Sequence, residues 1–273
     1  MPVDHYENFP VASWLLPTRL RHPIEVIYHF ARSADDFADE GDLPPSERIR
    51  LLDGYRLELD AIAADAGTDA PMFASLGKVI RDNQLPIQLF HDLLDAFKQD
   101  VTKTRYANFA ELIDYCRRSA DPIGRLLLHL NHAATPENLM MSDQICSALQ
   151  LINHWQDVAV DWQKNEGGRV YLPQDELQQF DLRDADIANS NTNAAWQNMM
   201  RFQCQRARQM LQAGMPLGRA LRGRMGAELR IIIAGGATIL DKIDAVNGDI
   251  FRHRPKMNKW DWMKAAPRAL LPL

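Results

Sequence analysis

Apolar residues recur at steps of three and four along almost the whole chain, and no sustained two-residue alternation interrupts them. Ile24, Ile27, Tyr28 and Ala31 form one such stripe, Leu89, Leu93, Leu94 and Phe97 a second, and Ile145, Leu149 and Ile152 a third. That period is the period of a helical face, and it argues against half-buried strands, whose side chains alternate sides. Pro23, Pro44, Pro45, Pro71, Pro86, Pro122, Pro136, Pro173, Pro216 and Pro255 punctuate the pattern. Because proline lacks the amide a helix interior needs, they divide it into about eight to ten helices. Asn108 precedes a helix with Glu111 in the capping-box position, and Ser142 opens the next apolar run. The polar span from Asp175 to Asn193 reads as the longest loop. No repeat, low-complexity tract or linker divides the 273 residues, so the expectation is a single all-α domain over residues 1–273.

Composition narrows the function. An apolar fraction of 46% supports a substantial core, and a net charge of −5 argues against broad nucleic-acid binding. An acidic chain acting on an anionic substrate calls for a metal cation between them. Cys116, Cys146 and Cys204 are an odd number without metal-ligand spacing, and read as reduced thiols of a cytoplasmic protein. The opening MPVDHYENFP lacks the basic segment and apolar core of a secretory signal. The run IIIAGGATIL is too short to span a bilayer. No HExxH pattern supports zinc hydrolysis, and His129 and His132, three apart on an apolar helix, read as core-edge residues.

Two acidic pairs stand out. In ARSADDFADEGD, Asp35 and Asp39 are four apart, so a helix stacks them on one face. In NHWQDVAVD, Asp157 and Asp161 repeat the spacing, and Gln150 and Asn153 continue the same face upstream. Clustered carboxylates repel one another, and burying them is costly unless something neutralises them. If the two helices face each other, their carboxylates line one cavity and suit Mg²⁺, which takes one or two carboxylates together with water and phosphate oxygens. The spacing equally fits solvated helix faces. Asp65 and Asp69 share it in DAGTDAP, where Gly67 and Pro71 argue for a loop.

In these segments the chain resembles the head-to-head isoprenyl synthases, the squalene and phytoene synthase family. IYHFARSADDFAD is similar to that family's first aspartate-rich motif, and QLINHWQDVAVDW to its second. LLDAFKQDVTKTRY resembles the central segment, with Asp100, Lys103, Arg105 and Tyr106. YCRRSADPIG resembles the Tyr-Cys motif, with Tyr115, Cys116 and Gly124, and GGRVYLP the segment carrying Arg169 and Tyr171. ENFPVASWLLP, Pro122, Gln156 before Asp157, and RHRPKMNKWDW are similar to the bacterial branch that hydrates presqualene diphosphate. Two departures from common family residues are Asp121, where relatives usually have Gly or Asn, and Gln156, where many have Arg.

The resemblance implies an isoprenoid-synthase-like helical bundle around a central apolar cavity. It implies catalytic, Mg²⁺-holding Asp35, Asp39, Asp157 and Asp161. It implies substrate binding by Phe9, Tyr28, Arg32, Asp36, Lys103, Arg105, Tyr106, Gln150, Asn153 and Arg169. Asp36 is expected behind the metal site, since its side chain leaves the helix about 100° from that of Asp35. Arginines suit forked contacts to diphosphate oxygens, and aromatic faces favour a carbocation. Asn8 and Asn153 are candidates to position water. The expected partner is presqualene diphosphate, made from farnesyl diphosphate by a sister enzyme, with no NADPH required. The basic and aromatic tail RHRPKMNKWDWMKAAPRALLPL fits either a peripheral contact with the inner membrane face or a last helix packed on the domain. Other family members use the same aspartates for presqualene diphosphate, squalene or phytoene synthesis. Outside the family, an all-α Mg-dependent nucleotide pyrophosphohydrolase and a non-catalytic helical scaffold share parts of the pattern.

Overall fold

The computed structural model describes residues 17–39, 41–164 and 168–263, with the side chain of Asp39 outside the described set. Among the described residues there are twelve α-helices and no strand. In order they are α1 (Thr18–Asp39), α2 (Pro45–Ala63), α3 (Pro71–Asn83), α4 (Gln88–Thr102), α5 (Phe109–Ser119) and α6 (Asp121–Leu130). There follow α7 (Pro136–Gln163), α8 (Gln174–Gln179), α9 (Asp184–Ala188), α10 (Ala194–Gly214), α11 (Leu217–Ala220) and α12 (Gly223–Ala245).

The prolines act mainly as starts. Pro45, Pro71 and Pro136 are first residues of their helices and Pro122 is the second of α6, positions where the missing amide costs nothing. Pro23 departs from the expected role of divider and lies inside α1. It falls near the helix start, so the hydrogen bond it removes is one to the first turn. Asn108 caps α5 as expected, its side chain accepting from the Glu111 amide at 3.0 Å. The Glu111 carboxylate takes the amide of Ala107 instead of completing a capping box. Ser142 does not open a helix. It is buried inside α7, which starts at Pro136 with the Thr135 hydroxyl accepting from the Asn138 amide. The segment 136–141 is rich in good helix formers and extends the apolar run upstream. The expected long loop at 175–193 contains α8 and α9, because Leu177, Leu182 and Ile187 each anchor a short helical turn in the core.

The helices group into two halves. α1 packs on α2, α3 and α4 around a cluster of Phe30, Tyr55, Phe73 and Phe90, with ring centroids 4.8–6.2 Å apart. α7 is the axis of the other half, packed on α10 most extensively and also on α9, α11 and α12. α5 and α6 bridge the halves. Both pack on α4 and on α7, and α6 also touches α1. The two aspartate-bearing helices, α1 and α7, thus flank α6.

The α6–α7 contact is very close at Gly124. A Cβ there would stand 2.3 Å from Ser142 Oγ and 2.5 Å from Cys146 Sγ, both on α7. Gly124→Ala is therefore expected to overpack this contact and destabilise the protein by about 1–3 kcal/mol, measurable as a lower urea midpoint at unchanged slope.

Candidate active site

α1 buries Leu20, Ile24, Ile27, Phe30, Ala34 and Ala38 against its half of the molecule. Tyr28, Arg32, Asp35 and Asp36 remain on a half-buried flank. The Arg32 guanidinium joins the two carboxylates, with one nitrogen 3.3 Å from Asp35 Oδ2 and the other 2.7 Å from Asp36 Oδ1. A single long cation spans the angle between the neighbouring carboxylates, so Asp36 belongs to the same electrostatic group as Asp35. Asp39 is the last residue of α1.

On α7, Gln150, Asn153, Asp157 and Asp161 form a half-buried polar stripe flanked by buried Leu151, Ile152, Trp155 and Val158. Asp157 Oδ1 accepts a hydrogen bond of 2.5 Å from Arg254 Nε. Neighbouring Gln156 is buried and donates to the carbonyl of Pro255 at 2.7 Å. Gln156 therefore pins the C-terminal segment, and that segment delivers Arg254 to the aspartate beside it. The sequence reading placed Arg254 only in a basic tail. A pairing across nearly a hundred residues has no local signature. Lys242 Nζ holds the same segment further along, donating to the Lys256 carbonyl at 2.7 Å and pairing with Asp261. Beyond it Trp260 and Met263 are exposed.

The central segment and the segment after α7 run side by side. The amide of Val170 donates to the Thr104 carbonyl at 2.9 Å, and that of Gln174 to the Tyr106 carbonyl at 2.9 Å. Gly168, with φ of +59°, makes the turn into this pairing, where a Cβ would lie 2.3 Å from the Trp162 backbone. Arg105 stitches the pair, bonding Asp184 and the carbonyls of Thr104 and Gly168. Lys103 pairs with Glu111 and lies over the Tyr106 ring at 5.2 Å.

The pairing carries Arg169 and Tyr171 into a buried network around Asp100. Tyr115 and Tyr171 donate their hydroxyls to the Asp100 carboxylate at 2.7 and 3.3 Å. Arg169 donates to the Asp100 carbonyl at 2.6 Å, and its other terminal nitrogen lies 3.8 Å from the carboxylate. Tyr106 is fully buried and stacks on Tyr171. Burial first, and the Asp100 charge among other causes, push the hydroxyls of Tyr106, Tyr115 and Tyr171 well above the usual tyrosine range, so they remain donors. His154 of α7 lies flat on Tyr171, with ring centroids 3.5 Å apart. Burial, helped by the Arg169 charge, lowers its imidazole to about 3, so the ring is neutral. The sequence reading passed over His154, which follows Asn153 in the second motif.

The predicted site residues thus fall into sets. Asp35 and Asp36 meet at Arg32, Asp157 meets Arg254, and Tyr106 and Arg169 join the Asp100 network. Arg169 also connects to the aspartate stripe, since its amide donates to the Asp161 carbonyl at 3.0 Å. Lys103 and Arg105 bind protein partners at the edge of that network. Phe9 and Asn8 lie outside the described residues. Among the described residues no three His, Cys, Asp or Glu side chains gather closely enough to hold an ion by themselves. The donor chemistry nevertheless fits Mg²⁺: Asp35, Asp157 and Asp161 offer hard carboxylate oxygens, and this ion completes its shell with water and substrate phosphate.

Two outcomes test the buried network. Asp100→Ala leaves Arg169 facing its missing partner, and a loss of about 3–5 kcal/mol is expected in denaturant unfolding. His154 binds a proton more weakly folded than unfolded, so stability falls as pH drops from near 6.5 towards 3, where the unfolded chain takes the extra proton. In His154→Phe, which keeps the stack, the melting temperature is expected to fall less steeply between pH 6.5 and 4 than in wild type.

The comparisons with known proteins agree with this architecture. The family model described as Squalene/phytoene synthase matches residues 3–261. A hydroxysqualene synthase of Rhodopseudomonas palustris is 35% identical over 229 residues, 84% of this chain and 76% of that protein. A phytoene synthase of Mycobacterium tuberculosis is 31% identical over 255 residues, 88% of this chain and 82% of that protein. The crystal structure of squalene synthase HpnC from Alicyclobacillus acidocaldarius superposes with a TM-score of 0.81 at 33% identity, covering 89% of this chain and 90% of that one. A dehydrosqualene synthase structure shares the fold, with a TM-score of 0.81 at 19% identity over 93% of this chain and 87% of that one. With the match running over nearly its whole length and the aspartate-bearing helices, bridge and C-terminal segment all included, this chain belongs to the squalene/phytoene synthase family.

Proposed function

We propose that this chain converts presqualene diphosphate and water to hydroxysqualene and diphosphate. The observation that carries this reading is the half-buried stripe of Gln150, Asn153, Asp157 and Asp161 on α7, countered by an arginine from a distant segment. Carboxylates kept half-buried beside cations are arranged for an ionic ligand. The relatives named hydroxysqualene synthase, 31–35% identical over 83–84% of the chain, support the particular substrate.

Asp35, Asp39, Asp157 and Asp161 would hold Mg²⁺, which supplies Lewis-acid stabilisation of the departing diphosphate. Arg32 and Arg254 each lie on a carboxylate that the metal would engage. With that negative charge taken up, their guanidinium groups would be available to diphosphate oxygens, for which a planar fork is well suited. Arg169, fixed by Asp100, holds positive charge at the same end of the stripe. Gln150 and Asn153 add neutral polar contacts, and half-buried Tyr28 supplies an aromatic face to a developing carbocation. Tyr106, buried between Tyr171 and Lys103, supports the Asp100 network instead. Water then captures the rearranged cation, so no hydride donor takes part.

The phytoene synthases among the relatives, 28–31% identical over 88–98% of the chain, favour a second reading in which the same residues condense two longer prenyl diphosphates. Incubation with Mg²⁺ and presqualene diphosphate, with and without NADPH, followed by mass spectrometry of the lipid extract separates the two. The expected product is the C30 alcohol, unchanged by NADPH. Condensation of geranylgeranyl diphosphate without hydration of presqualene diphosphate would establish the second reading. Asp157→Asn is expected to lower kcat about 10²–10³-fold, the scale on which losing one group that stabilises developing charge is felt. Near wild-type turnover would remove Asp157 from the metal site.

A further inference from the structure

The chain breaks between α5 and α6 at Ala120, and Asp121 opens the new helix. This break lies in the bridge between the two halves, against α4 and α7. Asp121 is only 2% exposed. Its hydrogen-bond partner is the hydroxyl of Ser147 on α7, which donates to Oδ1 at 2.8 Å, and among the described residues no lysine or arginine pairs with it. The nearby cation that would most naturally do so, Arg125, is forked onto Asp143 at 2.6 and 2.9 Å. Two residues before Asp121, Ser119 Oγ is buried without a hydrogen-bond partner among the described residues. A buried carboxylate with one neutral donor is costly, and an orphaned buried hydroxyl two residues earlier in the chain is the kind of group that an ordered water satisfies.

The place of this pair along α7 gives it a use. Ser147 lies one turn before Gln150, the inner end of the polar stripe, and ten residues before Asp157. That is about 15 Å along the helix axis from the metal-holding end. It leaves Asp121 at the opposite end of the stripe from Asp157 and Asp161.

Resting on the hydration reading above, we propose that Asp121, oriented by Ser147, positions the water that captures the carbocation and takes its proton. The water oxygen forms the new bond to the cationic carbon. One O–H bond breaks, its electron pair stays on oxygen as the alcohol, and the proton passes to the Asp121 carboxylate. The carboxylic acid then returns the proton to solvent when product leaves. Burial, opposed by the Ser147 hydrogen bond, raises the Asp121 carboxyl to about 7, which suits a group that takes up and gives back a proton near neutral pH. The other titratable groups facing it are Cys116 and Arg117 of α5, Arg125 of α6, and Asp143 and Cys146 of α7.

The test compares wild type, Asp121→Asn, Asp121→Leu and Ser147→Ala on presqualene diphosphate with Mg²⁺ in water labelled with heavy oxygen. Diphosphate release and the lipid products are followed separately. Wild type is expected to give labelled alcohol. In Asp121→Leu the ratio of alcohol to released diphosphate is expected to fall about 10²-fold, the low end of what a positioned proton acceptor contributes, with olefins formed by proton loss in its place. Asp121→Asn, the same shape without the base, and Ser147→Ala are expected to fall between. Thermal melts of the Asp121 variants are expected at or above wild type, because the buried charge is gone. An unchanged alcohol-to-diphosphate ratio in Asp121→Leu or Asp121→Asn would overturn the proposal, as would an equal loss of both products. Wild type making no labelled alcohol would instead bring down the hydration reading itself, and Asp121's role with it.

Discussion

Asp100 cannot remain a bare carboxylate in the interior, and satisfying it draws together three separate parts of the chain. It sits near the end of α4, receives hydroxyls from Tyr115 of α5 and Tyr171 of the segment after α7, and faces Arg169 from that same segment. Through Tyr171 the network reaches His154 of α7 by a face-to-face stack. The N-terminal half, the bridge and the C-terminal half thus meet at one buried charge. Breaking a buried charged network costs several times what an exposed ion pair contributes, so this meeting point is expensive to disrupt. Arg169 is held by this network next to the end of α7, where its amide bonds the Asp161 carbonyl.

The remaining aspartates are handled differently. Asp35, Asp36 and Asp157 are a quarter or more exposed at their side chains and are matched by Arg32 and Arg254, which are themselves partly exposed. These pairs are screened by water and contribute little to stability. They hold charge of both signs close together on half-buried flanks of α1 and α7. Asp121 is a third case, a buried carboxylate without a cation, and stability alone does not account for its presence.

Much of this was legible in the residues. The three- and four-step apolar pattern predicts the helices, and the prolines predict most of their starts, because both depend on chemistry within a turn or two. The failures were also local rules overridden by context. Ser142 looked like a cap but lies inside a helix that an earlier Thr-Pro pair starts. The polar stretch after Asp175 looked like a loop, yet three buried apolar residues hold two short helices there. Lys103 and Arg105 were read as substrate-binding residues from the resemblance of the central segment, and their acidic partners Glu111 and Asp184 were not legible in the sequence.

By itself the sequence determined the all-α class, the placing of Asp157 with Asp161 on one helix face, and the family resemblance. Each of these follows from short-range periodicity or from contiguous motifs. The tertiary structure decided which charges meet: Arg254 with Asp157, Arg169 with Asp100, and Ser147 with Asp121. Those pairings join residues between 26 and 97 positions apart. They arise only when packing desolvates a carboxylate and leaves it one place to find a partner, and no local pattern encodes that.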